Sequence, residues 1–315
     1  MEKLISGIHH ITALASDPQK NLDFYAGILG LRFIKKTVNF DAPDVYHLYY
    51  GNEKGSPGTI LTFFPYDGIP QGRKGKGQLT TTSFSVPENS LGYWTDRFNK
   101  FKIPYEGPLE RFNETAIYFE DHEGLGLELV ATKDDRPPFT YGAIPLEHSI
   151  RGFYGITLTE ESYEKTAGLL VGQMDHLHIG EKGNRFRFST TNLPGTIVDV
   201  LCAPDVLRGN GGYGTIHHVA FATENDQSQK KARQKLIDFG LDLTPVIDRE
   251  YFHSVYFREP GGVLFEIATL PPGFTVDEPL DRLGSTLKLP PWYEEIRDQI
   301  EKALPPITLD TSRFK

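Results

Sequence analysis

The chain has 315 residues, 38% hydrophobic and 24% charged, the make-up of a soluble globular protein with two domains or one domain built by repetition. Net charge is −9, and the one basic cluster, Arg73-Lys74-Gly75-Lys76, sits among glycines as a solvated loop, which argues against nucleic-acid binding. The single cysteine, Cys202, excludes an internal disulfide and reads as a core thiol; without a long apolar stretch or cleavable leader, a cytoplasmic protein with no membrane partner is expected.

Comparing the chain with itself organises the elements. Tyr118-Phe119-Glu120-Asp121 through Gly124 to Leu127-Glu128-Leu129 recurs 138 residues later as Tyr256-Phe257-Arg258-Glu259 through Gly262 to Phe265-Glu266-Ile267. Both read as strand, tight glycine turn, strand. Ile8-His9-His10-Ile11 recurs 208 residues later as Ile216-His217-His218-Val219, each a strand leading into a helical stretch.

In chain order, the first unit covers residues 7–66. Its first strand leads to a helix over 17–30, with Asp17 as N-cap, Pro18 at the first helical position and Gly30 at the end. Strands near 33–40, 45–50 and 59–64 follow. The second unit spans 79–131 with a helix at 91–101, the third 151–203 with a helix at 162–171, and the fourth 215–269 with a helix at 227–239. Glycine- and proline-rich linkers separate them, including 68–77 and 205–214; the latter lacks phosphate-loop spacing. A tail helix at 291–303 presents Trp292, Ile296, Ile300 and Leu304 at helical spacing, a stripe that packs on the body.

One such unit cannot close its own sheet, so units should pair. The fold expected is α+β: four βαβββ modules pairing into two open β-barrels with outer helices, plus a C-terminal helical tail. The domains are 1–135, 146–270 and the tail 271–315.

The paired histidines and the glutamate between Phe265 and Ile267 carry the chemistry. A lone strand histidine is more often a core residue, but here the pattern is doubled at repeat-equivalent positions, and an unpartnered buried carboxylate is costly. Two imidazoles and one carboxylate suit a divalent first-row metal with open positions opposite. Strand alternation selects the ligands. His218 shares a face with Ala220 and Ala222, small enough to line a cavity, whereas His217 sits with Val219 and Phe221. By equivalence His10 is a ligand, and Glu266 shares the face of Ala268. The second and third units lack the histidines, so the first and fourth should form the metal-bearing barrel. Glu128, the repeat-equivalent of Glu266, is then structural. His47 and His253 fit either the pocket or a strand face.

The repeat, the helix Asn21-x-x-Phe24-Tyr25 ending Leu29-Gly30-Leu31, and the strand from Gly262 to Glu266 resemble the vicinal oxygen chelate superfamily, the glyoxalase and extradiol dioxygenase group. The split triad resembles its hydroquinone-type ring-cleaving dioxygenases. The resemblance implies Fe(II) on His10, His218 and Glu266 (Mn, Zn or Ni suit the same donors), with a small aromatic diol and O2 as partners and a homo-oligomer allowed. It also implies catalytic roles for His9, His217, Arg249 and Tyr256, with Thr12, Arg249 and Tyr256 contacting substrate. Arg249 would stabilise an anionic oxygen, and His217 or His9 would move a proton. Alternation turns His9 and His217 away from the ligand face, which a bulged strand would reconcile. Two alternatives stay open: a non-redox metalloenzyme of the same superfamily, such as an isomerase, lyase or thiol transferase, and a non-catalytic aromatic-binding protein.

Overall fold

The computed structural model describes residues 2–315 and consists of two eight-stranded sheets. Module one contributes β1 (Gly7–Ala15), β2 (Arg32–Asn39), β3 (Ala42–Gly51) and β4 (Ile60–Pro65). Module two contributes β5 (Gln78–Val86), β6 (Tyr105–Arg111), β7 (Glu114–Glu120) and β8 (Gly126–Ala131). Module three has β9 (Gly152–Glu160), β10 (Leu177–Lys182), β11 (Arg185–Ser189) and β12 (Ile197–Cys202), and module four has β13 (Thr215–Thr223), β14 (Ile247–Asp248), β15 (Phe252–Arg258) and β16 (Leu264–Pro272).

The first sheet runs β14-β15-β16-β13-β1-β4-β3-β2, so modules one and four share it through the antiparallel pair β1 and β13. The second runs β10-β11-β12-β9-β5-β8-β7-β6, joining modules two and three through β5 and β9. Each first strand thereby gains the partner its own module cannot supply. The two faces of the first sheet differ as side-chain size requires. Ile11, Val219, Phe221, Phe265 and Ile267 belong to the large core with Leu22 and Phe24 of the first helical stretch. Ala220 and Ala268 lie in a separate cluster with Tyr49, Phe252 and Phe274.

The helices depart from the sequence expectation in three places. Only Pro18–Leu22 (α1) is α-helical, capped by the Asp17 side chain; Asp23–Ile28 continues as a π-helix. That wider turn leaves the carbonyls of Gly27 and Ile28 to Arg97, at 2.9 and 2.7 Å, and Gly27 abuts the Phe314 ring with no room for a Cβ. Leu91–Phe101 (α2) and Asp226–Asp238 (α4) lie close to the expected ranges, whereas Glu164–Gln173 (α3) sits two residues late at each end. There Tyr163 stacks on Phe186 with ring centroids 3.6 Å apart, which holds it outside the helix as its cap. In the tail, Pro291–Ile296 is a 3-10 turn and only Arg297–Ala303 (α5) is α-helical. Ile300 and Leu304 are buried as the stripe requires, but the tighter turn swings Trp292 out to 53% exposure, edge-on to Phe40.

The linker cluster Arg73 to Lys76 is also less free than its composition suggests. It pairs with the linker before β13 through bridges Gln71–Tyr213, Arg73–Asn210 and Lys76–Arg208. Glycine is required for that approach, since a Cβ on Gly75 would meet Leu207 O at 2.2 Å. Among the described residues no helix is long and apolar enough to cross a membrane.

Modules three and four also meet at a buried acidic pair. The Thr166 hydroxyl lies 2.7 Å from Glu160 Oε2 and 2.7 Å from Glu259 Oε2. A hydroxyl has one hydrogen, so one carboxyl must itself donate and be protonated. Burial, reinforced by Glu259, pushes the Glu160 carboxyl up to about 8. Its stabilising proton is fully held below the ordinary carboxylate range and is lost as pH rises through about 8. The urea midpoint of the protein should therefore fall between pH 5 and 9 more steeply than that of Glu160→Gln; parallel curves would refute the shared proton.

Candidate metal centre

β1 and β13 pair with two register shifts, and these build the site. Ile8 faces Phe221 and His10 faces Ala220, so His9 is an unpaired bulge residue; Thr12 faces His218 and Ala13 faces Ile216, so His217 is the matching bulge. Each bulge brings two consecutive histidine rings into contact. His9 Nδ1 is 2.9 Å from His10 Nδ1, and His217 Nδ1 is 2.8 Å from His218 Nδ1. The remaining nitrogens of His10 and His218, both Nε2, face one another at 3.3 Å.

Glu266 completes the cluster from β16, in register with Ala220 on one side and Tyr256 on the other. Its Oε2 is 3.3 Å from His10 Nε2 and 3.0 Å from His218 Nε2. Ser254 donates to Oε1, while Oε2 makes no hydrogen bond. Burial would raise this carboxyl, but His10 and His218 in front of it hold it well below the usual carboxylate range. A fully buried carboxylate oxygen without a hydrogen bond, converging with two imidazole nitrogens, is costly unless a cation sits among them. The triangle fits one: metal bonds of about 2.1 Å at right angles separate donors by about 3.0 Å. His10, His218 and Glu266 are thus able to hold a metal ion.

The cluster opens into a cavity of about 370 Å³, within the range of small-molecule sites. His10, His217, His218, Arg249 and Tyr256 line it, with apolar walls from Leu14, Phe64, Ile247, Phe252 and Leu264. Arg249 Nε lies 3.3 Å from the Tyr256 hydroxyl, and its Nη1 lies 3.3 Å from Asp41. Burial, then Glu266, raises the Tyr256 phenol, which stays protonated. His9 is not on the wall; it is buried behind His10 against Phe252, and burial followed by His10 lowers it to about 3. His217 is lowered likewise, by its enclosure and then by His218. Thr12 is fully buried beside the ligands, on the face of β1 that carries His10.

Of the two ambiguous histidines, His47 lines the cavity, whereas His253 pairs with Asp226 at 2.6 Å outside it. Ser254 escaped the sequence reading. Its signal was its place two residues before Tyr256, on the face of β15 turned toward Glu266.

Residues 7–129 match the family model described as the Glyoxalase/Bleomycin resistance protein/Dioxygenase superfamily. The chain is 45% identical to the Bacillus subtilis (strain 168) protein named "Putative ring-cleaving dioxygenase MhqO", over 97% of this chain and 98% of that one. It is 34% identical to the chlorohydroquinone/hydroquinone 1,2-dioxygenase of Sphingobium indicum, over 95% and 96% of the two chains. A crystal structure of the protein named "putative dioxygenase from Bacillus subtilis subsp. subtilis str. 168" superimposes with a TM-score of 0.94 at 44% identity, covering 98% of this chain and 99% of that one. The chain belongs to the ring-cleaving dioxygenases of this superfamily.

In this dioxygenase the second sheet has no counterpart of the centre. Arg111, 138 residues before Arg249, forms a bidentate pair with Glu128, which also accepts from Ser83. Nearby, Arg185 and Arg187 pair with Asp199, and Arg187 with Glu114. Three arginines and three carboxylates thus neutralise one another inside the barrel. Removing one partner leaves a buried charge. Glu128→Ala should lose about 3 kcal/mol in urea unfolding, and Arg111→Met/Glu128→Leu should recover most of it; an unchanged midpoint in Glu128→Ala would show the pair to be idle.

Proposed function

We propose that this chain holds Fe(II) through His10 Nε2, His218 Nε2 and Glu266, and cleaves hydroquinone-like aromatic diols with O2. The observation that carries this reading is the buried triangle of two imidazoles and one carboxylate opening onto an aromatic-lined cavity. A divalent iron bound there supplies a Lewis acid that ionises a substrate hydroxyl and an electron donor for O2. Because the hydroxyls of a para-diol lie at opposite ends of the ring, only one reaches the centre, and the protein must orient the rest.

The side chains suit that task. Phe64, Phe252, Ile247 and Leu264 exclude water and pack on an aromatic ring. Arg249 offers a permanent positive charge to the oxygen on which negative charge builds, and its hydrogen bond to Tyr256 leaves the phenol hydrogen available to a ligand. Proton positions follow from the paired nitrogens. With the Nε2 lone pair of His218 committed to the metal, its Nδ1 carries the hydrogen and donates to His217 Nδ1. His217 must then carry its own hydrogen on Nε2 and stays neutral, so it offers a hydrogen bond to a ligand in the cavity rather than acting as a base. The same count applies to His9 behind His10, which acts by orienting that ligand.

Anaerobic reconstitution with Fe(II), followed by O2 uptake with hydroquinone, methylhydroquinone and catechol, tests the assignment. Uptake with the para-diols is expected; none with any diol would end this reading. Glu266→Ala should retain less than about a tenth of the iron, by elemental analysis, while Glu128→Ala retains it at the level of the unaltered protein. Equal loss from both would place the metal elsewhere.

A further inference from the structure

A hydrogen-bonded chain of four side chains crosses the wall of the cavity. Tyr49 OH lies 2.8 Å from His47 Nδ1, and His47 Nε2 lies 2.9 Å from Thr62 Oγ1. Thr62 in turn donates to Thr12 Oγ1 at 2.9 Å. His47 and Tyr49 come from β3, Thr62 from β4 and Thr12 from β1, so the chain ties three strands of module one together. Tyr49, Thr62 and Thr12 are almost wholly buried. The His47 ring is held between Tyr49 and Phe64, at centroid distances of 4.0 and 4.2 Å.

Counting hydrogens gives the chain a direction. Thr62 has one hydroxyl hydrogen and spends it on Thr12, so it can only accept from His47, which must carry its hydrogen on Nε2. Burial, followed by the nearby imidazoles of His10 and His218, keeps the His47 ring neutral. Its Nδ1 is then a bare acceptor for the Tyr49 hydroxyl. Thr12 receives at its oxygen, and among the described residues no protein acceptor takes its own hydrogen. Thr12 stands opposite His218 across β1 and β13 and two residues from His10 on the same face. Its free hydrogen is therefore next to the proposed metal ligands.

We propose that His47 is a positioning residue for ring cleavage: as the Nε2–H tautomer it orders the chain from Tyr49 to Thr12 and leaves the Thr12 hydroxyl hydrogen free beside His10 and His218, the side chains proposed to hold the metal. This rests on the function proposed above. Both His47 nitrogens are taken, by Tyr49 and Thr62, so it acts by deciding which way Thr12 points. The opposite tautomer would reverse every bond, make Thr62 donate to His47 and turn the Thr12 hydrogen back onto Thr62.

Two measurements test this. Nitrogen-15 NMR of the imidazoles in the purified protein should find a neutral His47 with its hydrogen on Nε2; a hydrogen on Nδ1 overturns the proposal whatever the enzyme does. In the Fe(II)-loaded enzyme, His47→Phe and Thr62→Val should each lower kcat for methylhydroquinone roughly 10- to 100-fold, with KM within about threefold and iron content unchanged. Thr62→Ser, which keeps the hydroxyl, should recover most of the rate. The double variant should be no slower than the slower single one, because both break the same chain. If the unaltered enzyme is active and His47→Phe stays within twofold of it, the positioning role fails while the proposed function stands. If the unaltered enzyme consumes no O2 with any diol, the function fails, and the tautomer still decides the order of the chain.

Discussion

The antiparallel contact of β1 with β13 is the constraint on which the rest of the molecule depends. In the sheet of each βαβββ module the first strand is an edge with unsatisfied backbone groups on one side, and the first strand of another module satisfies them. In this chain the two strands that meet each carry a His-His pair, and each drops one histidine out of register. A regular ladder would send consecutive histidines to opposite faces. The bulges instead bring each pair within hydrogen-bonding distance, so one ring orients the other.

Burial then makes every hydrogen count. The polar side chains around the centre are buried against one another, so shared nitrogens and hydroxyls fix one another's protonation. Glu266 stays ionised although it is fully enclosed, because two imidazoles and the Ser254 hydroxyl face it. The same arithmetic runs outward from His10 and His218 to His9 and His217.

The two barrels show how little separates a carboxylate able to hold a metal ion from an ion-paired one. Glu128 and Glu266 occupy equivalent strand positions, and Arg111 and Arg249 precede them at equivalent distances. Arg111 ends the seven-residue strand β6 and reaches its glutamate directly. β14 has only two residues, and Arg249 lies beyond it in a loop, turned toward Tyr256 and Asp41. Glu266 is thereby left without a guanidinium and is available to a cation.

The sequence by itself determined the modules, their pairing and the faces of the strands. Repetition and the two-residue strand period are local properties, and a buried sheet leaves little freedom in where Val219 or Ala220 can point. It also singled out His10, His218 and Glu266 as a set. Tertiary structure alone decided what those residues meet. Register shifts depend on two strands at once, so the contacts of His9 and His217 were legible only as a bulge that alternation left unexplained. The π turn before Leu29 depends on Arg97, from another module. Ser254, and the chain from Tyr49 through His47 to Thr12, join strands that no spacing rule connects. Hydrogen bonds of this kind depend on distances of a few tenths of an ångström between distant segments, and folding sets those distances.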